Sequence, residues 1–129
     1  MTTDQPTPET TSQARVIDPM TQVQHIACLD YQNGQLVMDG VNLQQIAKNF
    51  GTPTYVYSAE AILAAYQAYS DSFSQIDHQI CYAVKANSNL AVLNILAKAG
   101  AGFDIVTGGE LARVLKAGGD PTKIVFSGL

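Results

Sequence analysis

Gln79-Ile80-Cys81-Tyr82-Ala83-Val84-Lys85-Ala86-Asn87 is the stretch on which the fold turns. Its apolar run, Ile80 to Val84, is rich in β-branched and aromatic residues and is followed at once by Ser88, Asn89 and a helical pattern, so it reads as a buried strand. Lys85 then falls near the C-terminal end of that strand. In α/β proteins built from parallel strands, ligands and catalytic groups collect at that end.

Working outward, Leu90, Leu93, Leu96 and Ala97 repeat at helical spacing up to Gly100, and residues 101–106 form a second apolar run. Thr107-Gly108-Gly109-Glu110 fits a capping box, opening a helix with Leu111, Val114 and Leu115 on one face. Asp120-Pro121 turns the chain into a third strand, Lys123 to Ser127. Strand, helix, strand, helix, strand with short connections predicts an α/β fold with a parallel sheet. The chain would end on an apolar strand left as an edge, which makes the architecture look incomplete.

Upstream, Ala27, Leu29 and Tyr31 alternate with Cys28 and Asp30, then Asn33-Gly34 and Leu36-Val37-Met38 follow, a hairpin signal ending at Asp39-Gly40. Asn42 caps a helix carrying Leu43, Ile46, Ala47 and Phe50, closed by Gly51. Thr54 to Tyr57 reads as a strand, and Ser58 caps a helix with Ile62, Tyr66, Tyr69 and Phe73 as its buried stripe. Residues 1–23 lack periodic apolar signal and predict a disordered tail.

At 129 residues, 47% hydrophobic and 14% charged, the chain has the size of one globular domain. A net charge of -4 without Lys or Arg clusters argues against nucleic-acid and anionic-membrane partners and favours a small molecule. The lack of an apolar run of spanning length and of a signal peptide leads to a cytoplasmic expectation. Cys28 and Cys81 have neither metal-ligand nor disulfide-framework spacing and read as buried apolar residues; no metal is expected.

Strand alternation would put Ala83, Lys85 and Asn87 on one face, a small residue beside a lysine leaving room for a flat ligand. Burial of an ammonium is unfavourable and lowers its pKa, which suits a lysine to Schiff-base chemistry with an aldehyde cofactor. On spacing alone, a strand-end lysine reaching solvent fits at least as well. Asp104, with Phe103 and Ile105 on the opposite face, could hold Lys85 by a charge-assisted hydrogen bond or tune a bound cofactor; a surface acid near a turn fits equally. Gly108-Gly109 is a weak anion-site signal. His25 and His78 have no partner at metal or triad spacing, and Glu60 and Glu110 suit helix N-termini.

Tyr82-Ala83-Val84-Lys85-Ala86-Asn87-Ser88-Asn89, then Gly102 to Leu111, then Lys123 to Gly128, resemble in order and spacing the N-terminal portion of the diaminopimelate decarboxylases, a family of fold-type III pyridoxal-phosphate enzymes. Phe50 to Tyr57 also fits, so the resemblance spans roughly His25 to Leu129. It implies an incomplete (β/α)8 barrel, with residues 24–57 contributing to a separate β-domain and residues 58–129 supplying the first helix and first three strands of the barrel. It further implies pyridoxal phosphate bound as a Schiff base on Lys85, with Asp104 and Ala83 beside it. The activity implied is conversion of meso-diaminopimelate to L-lysine and CO2 by a homodimer. The phosphate site, the proton donor and the substrate-binding arginines would lie beyond Leu129, so the isolated chain is expected to be inactive. Two other readings stay open, a decarboxylase of ornithine or another basic amino acid, and a non-catalytic cofactor-binding or interaction fragment.

Overall fold

Two Asx-Gly pairs shape the N-terminal part of the computed structural model, which describes residues 28–128. Asn33 and Gly34 have φ of 52° and 75°, Asp39 and Gly40 have 49° and 76°, the left-handed pair that a tight hairpin turn demands. The first pair joins β1 (Leu29–Gln32) to β2 (Gln35–Met38); the second joins β2 to β3 (Val41–Asn42) in an antiparallel sheet of order β1-β2-β3. The sequence reading stopped this unit at Asp39-Gly40, because a two-residue strand is too short to show alternation. The tail expected over residues 1–23, and residues 24–27, lie outside the described residues.

Asn42 is both the end of β3 and the cap of α1 (Leu43–Phe50), its Oδ1 accepting from the N–H groups of Gln44 and Gln45 at 2.8 and 3.2 Å. Phe50, placed by periodicity on the apolar stripe, is exposed, because the small sheet covers only the start of the helix. The expected strand Thr54–Tyr57 pairs with nothing among the described residues. Its β-branched and aromatic residues suit a strand, but a strand exists only where a partner takes its backbone hydrogen bonds. Tyr55 and Tyr57 instead stack on one another, centroids 6.3 Å apart.

α2 (Ala59–Ser72) starts at Ser58, whose Oγ accepts from Ala61 N at 2.9 Å and donates to Asp39 Oδ1 at 2.7 Å. Asp39 Oδ2 also accepts from Glu60 N, so the second hairpin turn clasps the N-terminus of α2. Ile62 and Tyr66 pack on the core as expected, whereas Tyr69 and Phe73 are exposed, since the later turns of the helix have no layer over them.

The second sheet is β4 (Cys81–Ala83), β5 (Gly102–Ile105) and β6 (Ile124–Phe126), parallel, in chain order. α3 (Leu90–Lys98) and α4 (Gly108–Lys116) make the two crossovers. Val84, Leu93, Phe103 and Val114 are completely buried between sheet and helices and define the core. Tyr82, Phe103 and Ile124 stand in register on the helix-facing side. Gly102 permits the close strand packing: a Cβ there would lie 2.6 Å from the carbonyl oxygen of Lys123 and 2.7 Å from Cys81 Sγ. Lys123 and Ser127, read as part of the third strand, flank it, Lys123 in a short 3-10 turn. Among the described residues no helix is long and apolar enough to cross a membrane, and no three His, Cys, Asp or Glu side chains are grouped to hold a metal.

Candidate active site at the strand ends

Parallel pairing sets Ala83, Asp104 and Val125 side by side on the sheet face away from the core. Phe103 and Ile105, both buried, take the other face, as alternation predicts. Ala83 puts only a methyl beside Asp104 on one side, Val125 stands on the other, and the space over Gly102 is taken by the Gln79 and Cys81 side chains.

Lys85 lies just past the end of β4, but not in it. The chain leaves the strand after Ala83 for a single 3-10 turn, Val84–Ala86. Alternation therefore stops before Lys85, and the expected common face of Ala83, Lys85 and Asn87 is not formed. Val84 still enters the core on the side of Tyr82, with no exposed surface, and the chain turns after it. Lys85 is consequently exposed.

Asp104 is half-buried, and its Oδ1 is buried without a hydrogen-bond partner. The expected charge-assisted bond from Lys85 to that oxygen is thus absent. A buried acceptor left unpaired costs about 1–3 kcal/mol, so its retention fits a cationic or N–H donor supplied by a ligand. A protonated iminium of an aldehyde cofactor has that chemistry.

The Gly108-Gly109 entry to α4 is organised otherwise. Thr107 Oγ1 accepts from Glu110 N at 3.1 Å, and Glu110 Oε2 accepts from Val106 N at 2.7 Å, one residue earlier than in the expected capping box. The negative charge favoured at a helix N-terminus is already supplied there by Glu110. His78 is likewise structural: its ring contacts Ser70 Oγ at 3.2 Å and the Ile76 carbonyl at 3.0 Å. Cys28 and Cys81 are half-buried rather than buried.

Two cavities flank the βα unit. An apolar groove of about 530 Å³ runs between α2 and the open edge of β4, lined by Tyr57, Ile62, Tyr66, Tyr82 and Leu96. Burial there, and then the neighbouring Tyr57, raise the pKa of Tyr82. A polar hollow of about 630 Å³, with Asp77, His78 and Lys123, lies where the strands begin. Neither is lined by Lys85 or Asp104.

Sequence reasoning missed the contacts that fix the loop after Lys85, namely Tyr82 Oη to the Asn87 carbonyl and Arg113 Nη1 to the Ser88 carbonyl. Their partners lie up to 25 residues apart, and no local pattern announces them.

Known proteins resemble this chain in sequence and fold. A diaminopimelate decarboxylase of Pseudomonas aeruginosa is 61% identical over 99 residues, 77% of this chain and 24% of that protein. A solved protein of Aquifex aeolicus superposes with a TM-score of 0.76 at 44% identity, covering 85% of this chain and 27% of its own. A diaminopimelate decarboxylase from M. jannaschii, solved with L-lysine, gives 0.73 at 37%, covering 78% and 24%. The chain spans about a quarter of the length of the curated relatives it matches. The model of the pyridoxal-dependent decarboxylases, pyridoxal binding domain, matches residues 59–129, which takes in both the Lys85 turn and the Asp104 strand. With more than half of its residues inside that match, the chain belongs to the pyridoxal-dependent decarboxylase family.

Proposed function

We propose that this chain supplies the cofactor-anchoring part of a decarboxylase that converts meso-diaminopimelate to L-lysine and CO2. The observation that carries this is the unpaired Asp104 oxygen beside Ala83, on the strand next to the one that ends two residues before Lys85. Identity to diaminopimelate decarboxylases at up to 61% supports the choice of substrate over ornithine or another basic amino acid.

In this reading the three parallel strands are the first three of a (β/α)8 barrel. The barrel part begins at residue 58, and residues 24–57 belong to a separate β-domain. The complete enzyme is a cytoplasmic homodimer acting on a small amino acid.

Pyridoxal phosphate, when bound, supplies an electron sink for the carbanion left by departing CO2. Lys85 Nζ would hold the cofactor covalently and, when free, would stand near the strand end to carry a proton. Asp104 accepts from the cationic partner that its Oδ1 lacks. Ala83, with only a methyl beside Asp104, would leave room for the cofactor.

The test is CO2 release by the intact protein from meso-diaminopimelate and from ornithine. Diaminopimelate should be the better substrate, and Lys85→Ala should lose activity by a factor of about 10³ or more, as loss of a covalent catalyst does. Preference for ornithine would reassign the substrate. Undiminished turnover by Lys85→Ala would end the anchoring role.

A further inference from the structure

We propose that Tyr82 and Arg113 are positioning residues that aim Lys85, an inference that rests on Lys85 being the cofactor-anchoring lysine. Within a strand, alternation fixes where a side chain points. Lys85 lacks that constraint, because it is the middle residue of the 3-10 turn that follows β4. Something other than sheet register must set the direction of its amine.

On the near side the turn is pinned by Val84 in the core. On the far side, two successive carbonyls are taken by side chains from two different elements. Tyr82 Oη donates to the carbonyl of Asn87 at 3.4 Å, and Arg113 Nη1 donates to the carbonyl of Ser88 at 3.3 Å. Asn87 Oδ1 then accepts from Asn89 N at 3.0 Å, and Asn89 Oδ1 caps α3 through Ala91 N at 2.8 Å. Lys85 is thus enclosed between a buried anchor one residue before it and a tethered segment that begins two residues after it.

Both tethers have chemistry suited to the task. The Tyr82 hydroxyl is a neutral O–H donor at physiological pH. Arg113 is exposed on α4 and can present several N–H groups to one carbonyl. Each bond is at the long end of the hydrogen-bond range, so either alone is weak and the pair acts together. Misplacing a catalytic group by about 1 Å can slow a reaction by about 10²-fold, so two modest tethers can matter more for rate than for stability.

The test compares Tyr82→Phe, Arg113→Gln, their combination, and Arg113→Lys, which retains a cationic N–H donor group, in the intact protein. Three quantities are measured: the rate at which borohydride fixes added pyridoxal phosphate on Lys85, kcat and KM for meso-diaminopimelate, and Tm. The double variant should lose about tenfold in fixation rate and in kcat with KM little changed, a partial misplacement effect. Arg113→Lys should keep most of both rates. Unchanged fixation and kcat in the double variant, or losses that track Tm and are not rescued in Arg113→Lys, overturn the positioning role. If the unsubstituted protein takes no label at Lys85, the anchoring reading fails and takes this inference with it. Labelling of the unsubstituted protein at a rate the double variant matches would sink the positioning role alone.

Discussion

The antiparallel unit at residues 28–57 and the parallel βα unit at residues 79–128 are held by different physics. The first rests on local chemistry: two Asx-Gly turns, an asparagine cap, and a single buried apolar side chain, Val37. Phe50, Tyr55 and Tyr57 stand exposed around it. The second rests on four completely buried side chains gathered from β4's end, α3, β5 and α4. Its unpaired polar atom is at the candidate site. Stability and chemistry are therefore concentrated in the parallel unit, and the antiparallel unit is attached chiefly through Asp39 and Ser58.

The sharpest way to break this contrast is to cut the larger core. Phe103→Ala should destabilise by about 3–5 kcal/mol, the usual range for a fully buried aromatic, and Val37→Ala by clearly less, both read by urea denaturation. Equal losses would mean that the two units share one core. Next in size, Gly102→Ala forces a methyl against the Lys123 carbonyl and Cys81 and should cost about 1–3 kcal/mol as overpacking, while leaving the antiparallel unit's amide protection intact by hydrogen exchange.

Much of the local grammar of both units was legible before the structure. Asn42, Ser58 and Thr107 cap the helices assigned to them, Asn33-Gly34 makes its turn, and Asp104 opposes Phe103 and Ile105. What was illegible depends on partners distant in sequence. Val84 looks like one more strand residue, and it is buried like one, yet the ladder ends at Ala83 and Lys85 becomes a turn position. Thr54–Tyr57 has strand composition but no ladder partner, and Asp39 looks like a turn residue although its carboxylate also caps a helix that starts 20 residues later. Lys85 was identifiable as chemically interesting through its neighbours in the sequence, yet its geometry was not.

The junction offers a gentler test. Asp39→Gly keeps the positive φ and removes the clasp, so it should cost about 1–3 kcal/mol for hydrogen bonds to a charged group and should raise exchange at the start of α2. No change there would show that the two units are joined by packing alone. The smallest effect belongs to Asp120, whose pKa is lowered first by the Thr122 hydroxyl and then by the Thr122 N–H. A depressed folded pKa contributes stability above the ordinary aspartate value of 3.8 that is lost as pH falls through the folded value. The Tm gap between Asp120→Ala and the unsubstituted protein should accordingly be present at neutral pH and close in strong acid.

The most direct test of the central claim is to map where the intact protein takes pyridoxal phosphate under borohydride. A single pyridoxyl label on Lys85, lost in Lys85→Ala and weakened in Asp104→Ala, is the predicted result. Label spread equally over Lys48, Lys98, Lys116 and Lys123, with Lys85 no more reactive than the rest, would contradict it.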